Sequence, residues 1–80
     1  MELHPFRRER LLRGLTQQQC SKKTGISQSK ISLIEQGFVL PTTEDARRLA
    51  GVVRSDAADL FPVTREGPGP HRARRSGKAR

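Results

Sequence analysis

The chain has 80 residues, the length of one small domain, and carries a net charge of +8 from sixteen basic and eight acidic residues. Charge of this sign and size favours a polyanionic partner. The three Phe, with no Trp or Tyr, argue against a stacking platform for single-stranded nucleic acid, which needs several aromatic faces. The charge is uneven, because residues 1–63 carry +3 and residues 64–80 carry +5.

Cysteine usage and hydropathy bear on the cellular compartment. The single cysteine, Cys20, excludes an internal disulfide and fits a reducing environment. No apolar run approaches the ~20 residues that cross a bilayer, and the N-terminus lacks the basic-then-apolar order of a secretion signal. We therefore expect a cytoplasmic protein with no membrane partner. We expect Cys20 to be a small buried residue, with a redox sensor as the less favoured alternative.

Glycine and proline residues divide the first 63 residues into short stretches that are compatible with helices. The first, from Pro5 to Arg13, opens on a proline, which the first turn of a helix tolerates. The second, Gln17 to Thr24, follows Thr16, and together with Gln19 this threonine forms a Thr-x-x-Gln capping box. The third stretch, Gln28 to Gln36, is capped by Ser27.

The remaining stretches complete an all-α prediction. The fourth helix runs from Thr43 to Val53 with acidic residues in its first turn, and a fifth turn runs from Asp56 to Leu60 before Pro62. No stretch alternates apolar and polar residues as a strand does. We predict a compact bundle of about five short helices in residues 1–63. Residues 64–80 have little to bury and are predicted to be a disordered basic tail.

The second and third helices form a helix-turn-helix pattern over about residues 16–36, because only residues 25–27 separate them. At about 100° per residue, Ile31 and Ile34 lie on one side of the third helix. Gln28, Ser29, Ser32, Leu33 and Gln36 lie on or beside the opposite side. A solvated helix would more usually carry Lys and Glu there, so this polar, nearly uncharged face is a candidate for binding.

Amide and hydroxyl side chains suit the major groove of DNA. Glutamine can pair with adenine through two hydrogen bonds, serine can donate or accept, and an apolar side chain can pack on a thymine methyl. Since the N-terminal residues of a recognition helix approach the base edges most closely, Gln28 and Ser29 are the first candidates. Ser32 and Leu33 are the second. The alternative is an ordinary polar helix start with one exposed leucine.

Residues 15–37, LTQQQCSKKTGISQSKISLIEQG, resemble the Cro/CI-type (XRE) helix-turn-helix family of phage and bacterial repressors. The matches include Gly14, the Leu-Thr-Gln at 15–17, Gly25, the Ile-Ser-x-Ile-Glu-x-Gly at 31–37, Pro41 and the Leu-Ala at 49–50. The resemblance covers residues 6–61 and implies a lambda-repressor-like DNA-binding domain. The sequence departs from the family at Cys20 and Ser21, at Ala46, and at Glu9, for which Leu11 and Leu12 are expected to compensate by shifting the buried face.

The resemblance also implies roles for individual residues. Gln28 and Ser29 would read bases, with Ser32 and Leu33 along the groove. The expected phosphate contacts are Gln17, Ser27, Lys30, Gln36 and the backbone N–H of Phe38. For Lys30, as for Lys22 and Lys23, a merely solvated face is the open alternative. Arg10 would pair with Glu35 in a structural ion pair, expected to be partly exposed and to contribute at most about 1 kcal/mol.

These observations favour a sequence-specific transcriptional regulator, expected to be a repressor, that binds duplex DNA as a homodimer. Half-sites of its pseudo-palindromic operator would lie about 34 Å apart. The candidate dimer contacts, unless they form the core, are Val52, Val53, Leu60 and Phe61.

Two alternatives stay open: an antitoxin-type module whose main partner is a toxin or another protein, and a non-specific binder driven by the tail. With His4 and His71 isolated and no catalytic set, we expect no metal, no cofactor and no enzyme.

Overall fold

The computed structural model describes residues 3–68, which form five helices followed by a two-stranded hairpin. The helices are α1 (Pro5–Leu12), α2 (Gln17–Thr24), α3 (Gln28–Gln36), α4 (Thr43–Val52) and α5 (Ala57–Leu60). The strands are β1 (Val63–Thr64) and β2 (Gly67–Pro68), which pair antiparallel with Val63 opposite Pro68. The prediction of a small helical bundle is confirmed, and each helix lies within a residue of its expected bounds.

Local hydrogen bonds explain why the helices begin and end where they do. The Thr16 hydroxyl accepts from the Gln19 N–H at 3.0 Å, and the Gln19 carboxamide oxygen accepts from the Thr16 N–H at 2.8 Å. This is the predicted capping box. Gly25 and Gly37 end α2 and α3 with φ of 80° and 85°, a left-handed conformation that side chains disfavour.

The core is assembled from one side of every helix. Ile31 and Ile34 of α3 are 0% and 1% exposed, so the predicted orientation of this helix is confirmed. Cys20 is fully buried, as expected, and desolvation raises the pKa of its thiol, which disfavours the reactive thiolate. The buried apolar residues are Phe6, Cys20, Ile26, Ile31, Ile34, Ala46, Leu49, Ala50, Val53, Leu60 and Phe61.

The buried face of α1 differs from the expected one. Leu11 and Leu12 do not replace Glu9 in the core, because they are 49% and 74% exposed. Phe6 and Arg10 are buried instead, four residues apart on one face of the helix. Phe6 packs against Phe61, with ring centroids 5.8 Å apart, and thereby ties α1 to the residue that follows α5.

The hairpin was not predicted, and it includes residues 64–68, which were expected to belong to the tail. Thr64 is only 2% exposed, and the Arg65 N–H donates to the Pro41 carbonyl at 2.8 Å. Strands of two residues are too short to show an alternating pattern in sequence. The rest of the predicted disordered tail, residues 69–80, lies outside the described residues.

No helix within residues 3–68 combines the length and hydropathy that a transmembrane span needs. In the same part of the chain, no three His, Cys, Asp or Glu side chains are grouped so that they could hold a metal ion.

Candidate nucleic-acid interface

The turn between α2 and α3 is attached to the core by one buried side chain and by two hydrogen bonds of another. Ile26 is 5% exposed and is therefore anchored in the core beneath the turn, as expected. The buried Thr24 hydroxyl donates to the Cys20 carbonyl at 2.8 Å and accepts from the Ile26 N–H at 3.1 Å. These two bonds satisfy the buried Thr24 hydroxyl and the Ile26 N–H. The turn therefore sets the orientation of α3 relative to α2.

The outward side of α3 and the start of α2 form one open concave surface. Gln28 and Ser29 are exposed, Ser32 is half-buried, and Leu33 is 39% exposed. With Gln17 of α2, these four side chains line a concavity of about 420 Å³. We call these five residues the reading surface. The structure brings the four proposed base-contacting residues together on one side of the domain, with the two isoleucines behind them.

Gln17 is held in place by a buried carboxylate. Its side-chain Nε2 donates to Oε1 of Glu35 at 3.0 Å. An amide nitrogen has two hydrogens, so one donor and the carbonyl oxygen of Gln17 are left for another partner. The expected phosphate contact is therefore compatible with this geometry, but the side chain is oriented from within the protein before any DNA is bound.

The same carboxylate forms the ion pair with Arg10, which is far more buried than expected. Arg10 Nε and Nη2 donate to the two Glu35 oxygens at 2.8 and 3.1 Å, and Nη1 donates to the Leu15 carbonyl at 2.8 Å. The two side chains are 8% and 3% exposed. The hydrogen bonds from Arg10 to Glu35 raise the pKa of the Arg10 guanidinium above its usual value. The expected pairing is therefore present, but the expectation that it is partly exposed is wrong.

Three of the expected phosphate contacts also have roles inside the protein. The Ser27 hydroxyl accepts from the Lys30 N–H at 3.1 Å, and Gln36 Nε2 donates to the Ser32 hydroxyl at 2.9 Å. Both hydroxyls keep a hydrogen to donate. The Phe38 N–H, in contrast, donates to the Leu33 carbonyl at 3.0 Å as part of the α3 C-cap. Because this donor is occupied, we leave Phe38 out of the proposed phosphate contacts.

Lys30 faces α4 rather than the reading surface. Its ammonium lies 2.7 Å from Oδ2 of Asp45, a carboxylate oxygen that is shielded from water. The contact is an ion pair without hydrogen-bond alignment, since Oδ2 has no hydrogen-bond partner in the described structure. Lys30 lies about 40° from Ile34 around the helix, close to the buried side. No sequence signal points to this pairing, because Asp45 is an ordinary acidic residue in the first turn of α4.

The charges of α3 are thus neutralised by other helices. Lys30 pairs with Asp45 of α4 and Glu35 pairs with Arg10 of α1. The reading surface presents only amides, hydroxyls and one leucine. Such a surface can distinguish hydrogen-bonding patterns and methyl groups, while it contributes little long-range attraction to a polyanion.

Comparison with known proteins agrees with this geometry. A family model described as a helix-turn-helix domain matches residues 2–60. The match confirms the helix-turn-helix assignment made from the sequence, and it ends before the hairpin at 63–68. No curated protein and no solved structure is significantly similar to the chain.

Proposed function

The chain belongs to the helix-turn-helix family of DNA-binding domains, and from that premise we propose that it is a sequence-specific transcriptional regulator of the Cro/CI type. In this proposal α3 lies in the major groove of duplex DNA. Gln28 and Ser29 contact base edges, Ser32 and Leu33 lie along the groove, and Gln17, Ser27 and Gln36 contact phosphates. The protein acts in the cytoplasm of a bacterial-type cell, and repression follows when it occupies a promoter.

The observation that carries this proposal is the composition of the reading surface. Its side chains are anchored by Ile31 and Ile34 behind them and by Glu35 through Gln17. The two isoleucines fix the backbone of α3 that carries four of these side chains, and the bond to Glu35 fixes the side chain of Gln17. Orientation lowers the entropy cost of binding, which is what discrimination between similar base pairs requires.

Replacement of Gln28 tests the proposal directly. We expect Gln28→Ala to cost about 1–3 kcal/mol of binding free energy on the preferred site and to relax the preference at one or two base positions. Selection of sites from a randomised duplex library, with wild type and variant in parallel, measures both effects.

Gln18→Ala is the matched control for this test. Gln18 is also an exposed glutamine, but it does not line the reading surface. Its loss should leave the selected sequence unchanged. An identical selected sequence for wild type and Gln28→Ala would reject the assignment of Gln28 as a base contact.

We further propose that two copies bind the pseudo-palindromic site as a homodimer. Three of the four dimer contacts suggested by the sequence belong to the core instead, because Val53, Leu60 and Phe61 are at most 4% exposed. The fourth, Val52, is half-buried against the same core. Exposed apolar side chains lie instead directly after α3: Phe38 is 74% exposed and Leu40 is 48% exposed, and Val63 of the hairpin is 52% exposed. Leu40 and Val63 line one groove, and Phe38 precedes Leu40 by two residues in the chain, so we call these three residues the apolar patch. Contact between two apolar patches would join the protomers beside their recognition helices.

Replacement of Phe38 tests the dimer. Phe38→Ser should abolish cooperative binding to the two-half-site operator and leave affinity for an isolated half-site nearly unchanged. Titration of both duplexes, followed by sedimentation equilibrium of the complexes, measures the two quantities. Leu12→Ser is the control, since Leu12 is also 74% exposed but lies on α1. Cooperativity that survives in Phe38→Ser would remove the patch from the dimer interface.

The apolar patch also bears on the antitoxin alternative, in which the main partner is another protein. That function predicts a stable complex with the partner that is lost in Phe38→Ser, together with DNA binding that is indifferent to Gln28→Ala. For a regulator, in contrast, we expect Gln28→Ala to weaken DNA binding and to relax the base preference. The two variants therefore distinguish the two functions.

A further inference from the structure

His4 connects the start of α1 with the apolar patch through its imidazole ring. The ring caps α1 and forms part of the wall of the apolar groove that also contains Leu40 and Val63. These two residues belong to the apolar patch, which is proposed to join two protomers on DNA. A charge on His4 would therefore act on the stability of α1 and on the proposed dimer contact at the same time.

The His4 side chain is the N-terminal cap of α1. Its Nδ1 accepts from the Phe6 N–H at 3.0 Å, and its carbonyl accepts from the Arg8 N–H at 3.0 Å. Because Pro5 has no N–H, the Phe6 N–H is the first backbone donor of the helix. Since Nδ1 accepts from an N–H group, it carries no hydrogen itself, and the ring is in its neutral form with the hydrogen on Nε2.

The same ring is packed among aromatic and apolar residues. Its centroid lies 5.5 Å from that of Phe61, and His4 is half-buried. The groove has a volume of about 220 Å³, and its other lining residues come from α3, from the glycine that ends α3 and from residues 39–41 and 60–63. Within the described chain, His4 is the only titratable residue that lines it. A positive charge on this ring would face apolar groups from every element around the groove.

Burial disfavours the protonated form of the ring. Desolvation lowers the pKa of His4 below its usual value, and the negative charge of Glu35 in α3 acts in the opposite direction. The guanidinium of Arg10 in α1 is paired with that carboxylate. Protonation would put a hydrogen on Nδ1, so the Phe6 N–H would lose its acceptor. It would also place a cation at the N-terminus of α1, where the helix dipole disfavours it. The observed position of the ring therefore depends on its neutral form.

We propose that His4 is a proton-sensitive cap that couples the start of α1 to the apolar groove. In its neutral form the ring binds the Phe6 N–H and packs against Phe61, and in its protonated form it leaves this position. The functional consequence rests on the proposed function: acid weakens the contact between two apolar patches. The reason is that the groove loses part of its wall, and an imidazolium resists being covered by a second protomer. Cooperative binding to the operator is then lost at a pH at which an isolated half-site is still bound.

The pH dependence of stability tests the cap. Because folding lowers the pKa of His4, the unfolded chain binds a proton at this site more readily than the folded domain does. The stabilisation is complete above the usual pKa of about 6.5 and is lost as the pH falls from there through the lower pKa of the folded domain. The equilibrium constant of unfolding should therefore rise from about pH 7.5 to about pH 5.5, by at most about tenfold per pH unit. Urea unfolding followed by circular dichroism measures this rise.

Glu66 also has a pH-dependent contact, but it responds at a lower pH. Its Oε1 accepts from the Thr43 N–H at 2.7 Å, and this bond lowers the pKa of Glu66 below its usual value of about 4.5. The stabilisation by this carboxylate is present above that value and is lost only as the pH falls below it. Glu66 therefore does not contribute to a change in stability between about pH 7.5 and about pH 5.5.

His4→Asn separates the cap from other effects of acid, because asparagine also accepts a cap hydrogen bond but does not titrate. We expect the urea midpoint of the wild type to fall over this pH range and that of His4→Asn to change much less. His71→Asn removes the other histidine of the chain and is the matched control, which should keep the pH dependence of the wild type. Equal pH dependence in wild type and His4→Asn would overturn the proposal.

Proton NMR of the wild type gives a second measurement that does not depend on the folding of a variant. The imidazole signals of His4 are assigned as those that persist in His71→Asn. We expect them to titrate with a pKa below the usual value of about 6.5 and to shift together with the amide signal of Phe6. A pKa of His4 at or above that value, or a Phe6 amide that does not respond, would also overturn the cap.

Operator binding at the same two pH values tests the functional consequence. Cooperativity on the duplex with two half-sites should fall with acid in the wild type and persist in His4→Asn, while affinity for the isolated half-site changes little in either protein. Full cooperativity of the wild type at the lower pH would overturn the link between His4 and the apolar patch. Cooperativity that is absent at both pH values would reject the dimer, and binding without sequence preference at either pH would reject the proposed function itself.

Discussion

Glu35→Gln is expected to lower the free energy of unfolding by about 3–5 kcal/mol, because it leaves the Arg10 guanidinium buried without a countercharge. The pair is 8% and 3% exposed, and each Glu35 oxygen accepts a hydrogen bond from Arg10. Domains of this size are stable by about 5–15 kcal/mol, so the variant should lose a large part of its total stability. Urea unfolding followed by circular dichroism measures the loss.

Two further variants distinguish the stability lost with a buried ion pair from the stability lost with a surface ion pair. Arg13→Ala removes an exposed α1 pair, in which Arg13 lies 3.6 Å from Glu9, and should cost less than about 0.5 kcal/mol. The double variant Arg10→Met with Glu35→Leu should recover much of the loss, since two apolar side chains leave no unpaired charge. If Glu35→Gln were as stable as Arg13→Ala, the pair would not be buried as described.

The second large effect is expected at Phe6, whose aromatic ring is 0% exposed and packs against Phe61. Phe6→Ala should lower the free energy of unfolding by about 3–5 kcal/mol through lost burial and the cavity that remains. Because Phe6 attaches α1 to the end of α5, the loss should be seen in the cooperative unfolding of the whole domain. Thermal and urea unfolding of the variant measure it.

Leu12→Ala is the matched control on the same helix. Leu12 is 74% exposed, so its truncation should change the stability by less than about 0.5 kcal/mol. The two variants distinguish the observed buried face of α1 from the expected one. A larger loss for Leu12→Ala than for Phe6→Ala would show that α1 is rotated relative to its orientation here.

Much of the helical architecture could be predicted because its determinants are local. The Thr16–Gln19 capping box, the Ser27 cap and the left-handed Gly25 and Gly37 depend on neighbouring residues only, and all are present. The outward side of α3 followed from two isoleucines three residues apart. The reading surface was therefore foreseen, apart from the bond that orients Gln17.

Other features could not be predicted, because they depend on partners far away in sequence. The family resemblance implied the pair of Arg10 with Glu35, but its burial was not predicted, because an arginine in α1 would ordinarily face solvent. Lys30 was expected at a phosphate, yet Asp45 of α4 holds it on the other side of α3. Leu11 and Leu12 were expected in the core, but the packing of Phe6 with Phe61 selects a different face.

The sequence by itself determined where the helices begin and end, and which side of α3 faces outward, because caps, turns and helical periodicity act within a few residues. Only the tertiary structure decided which charges are buried, which apolar side chains remain exposed, and that a two-stranded hairpin is attached to the start of α4. Those outcomes depend on burial and on pairing between distant residues. A charged or apolar side chain has the same local sequence whether or not a distant partner covers it, so its environment is settled only when the helices pack.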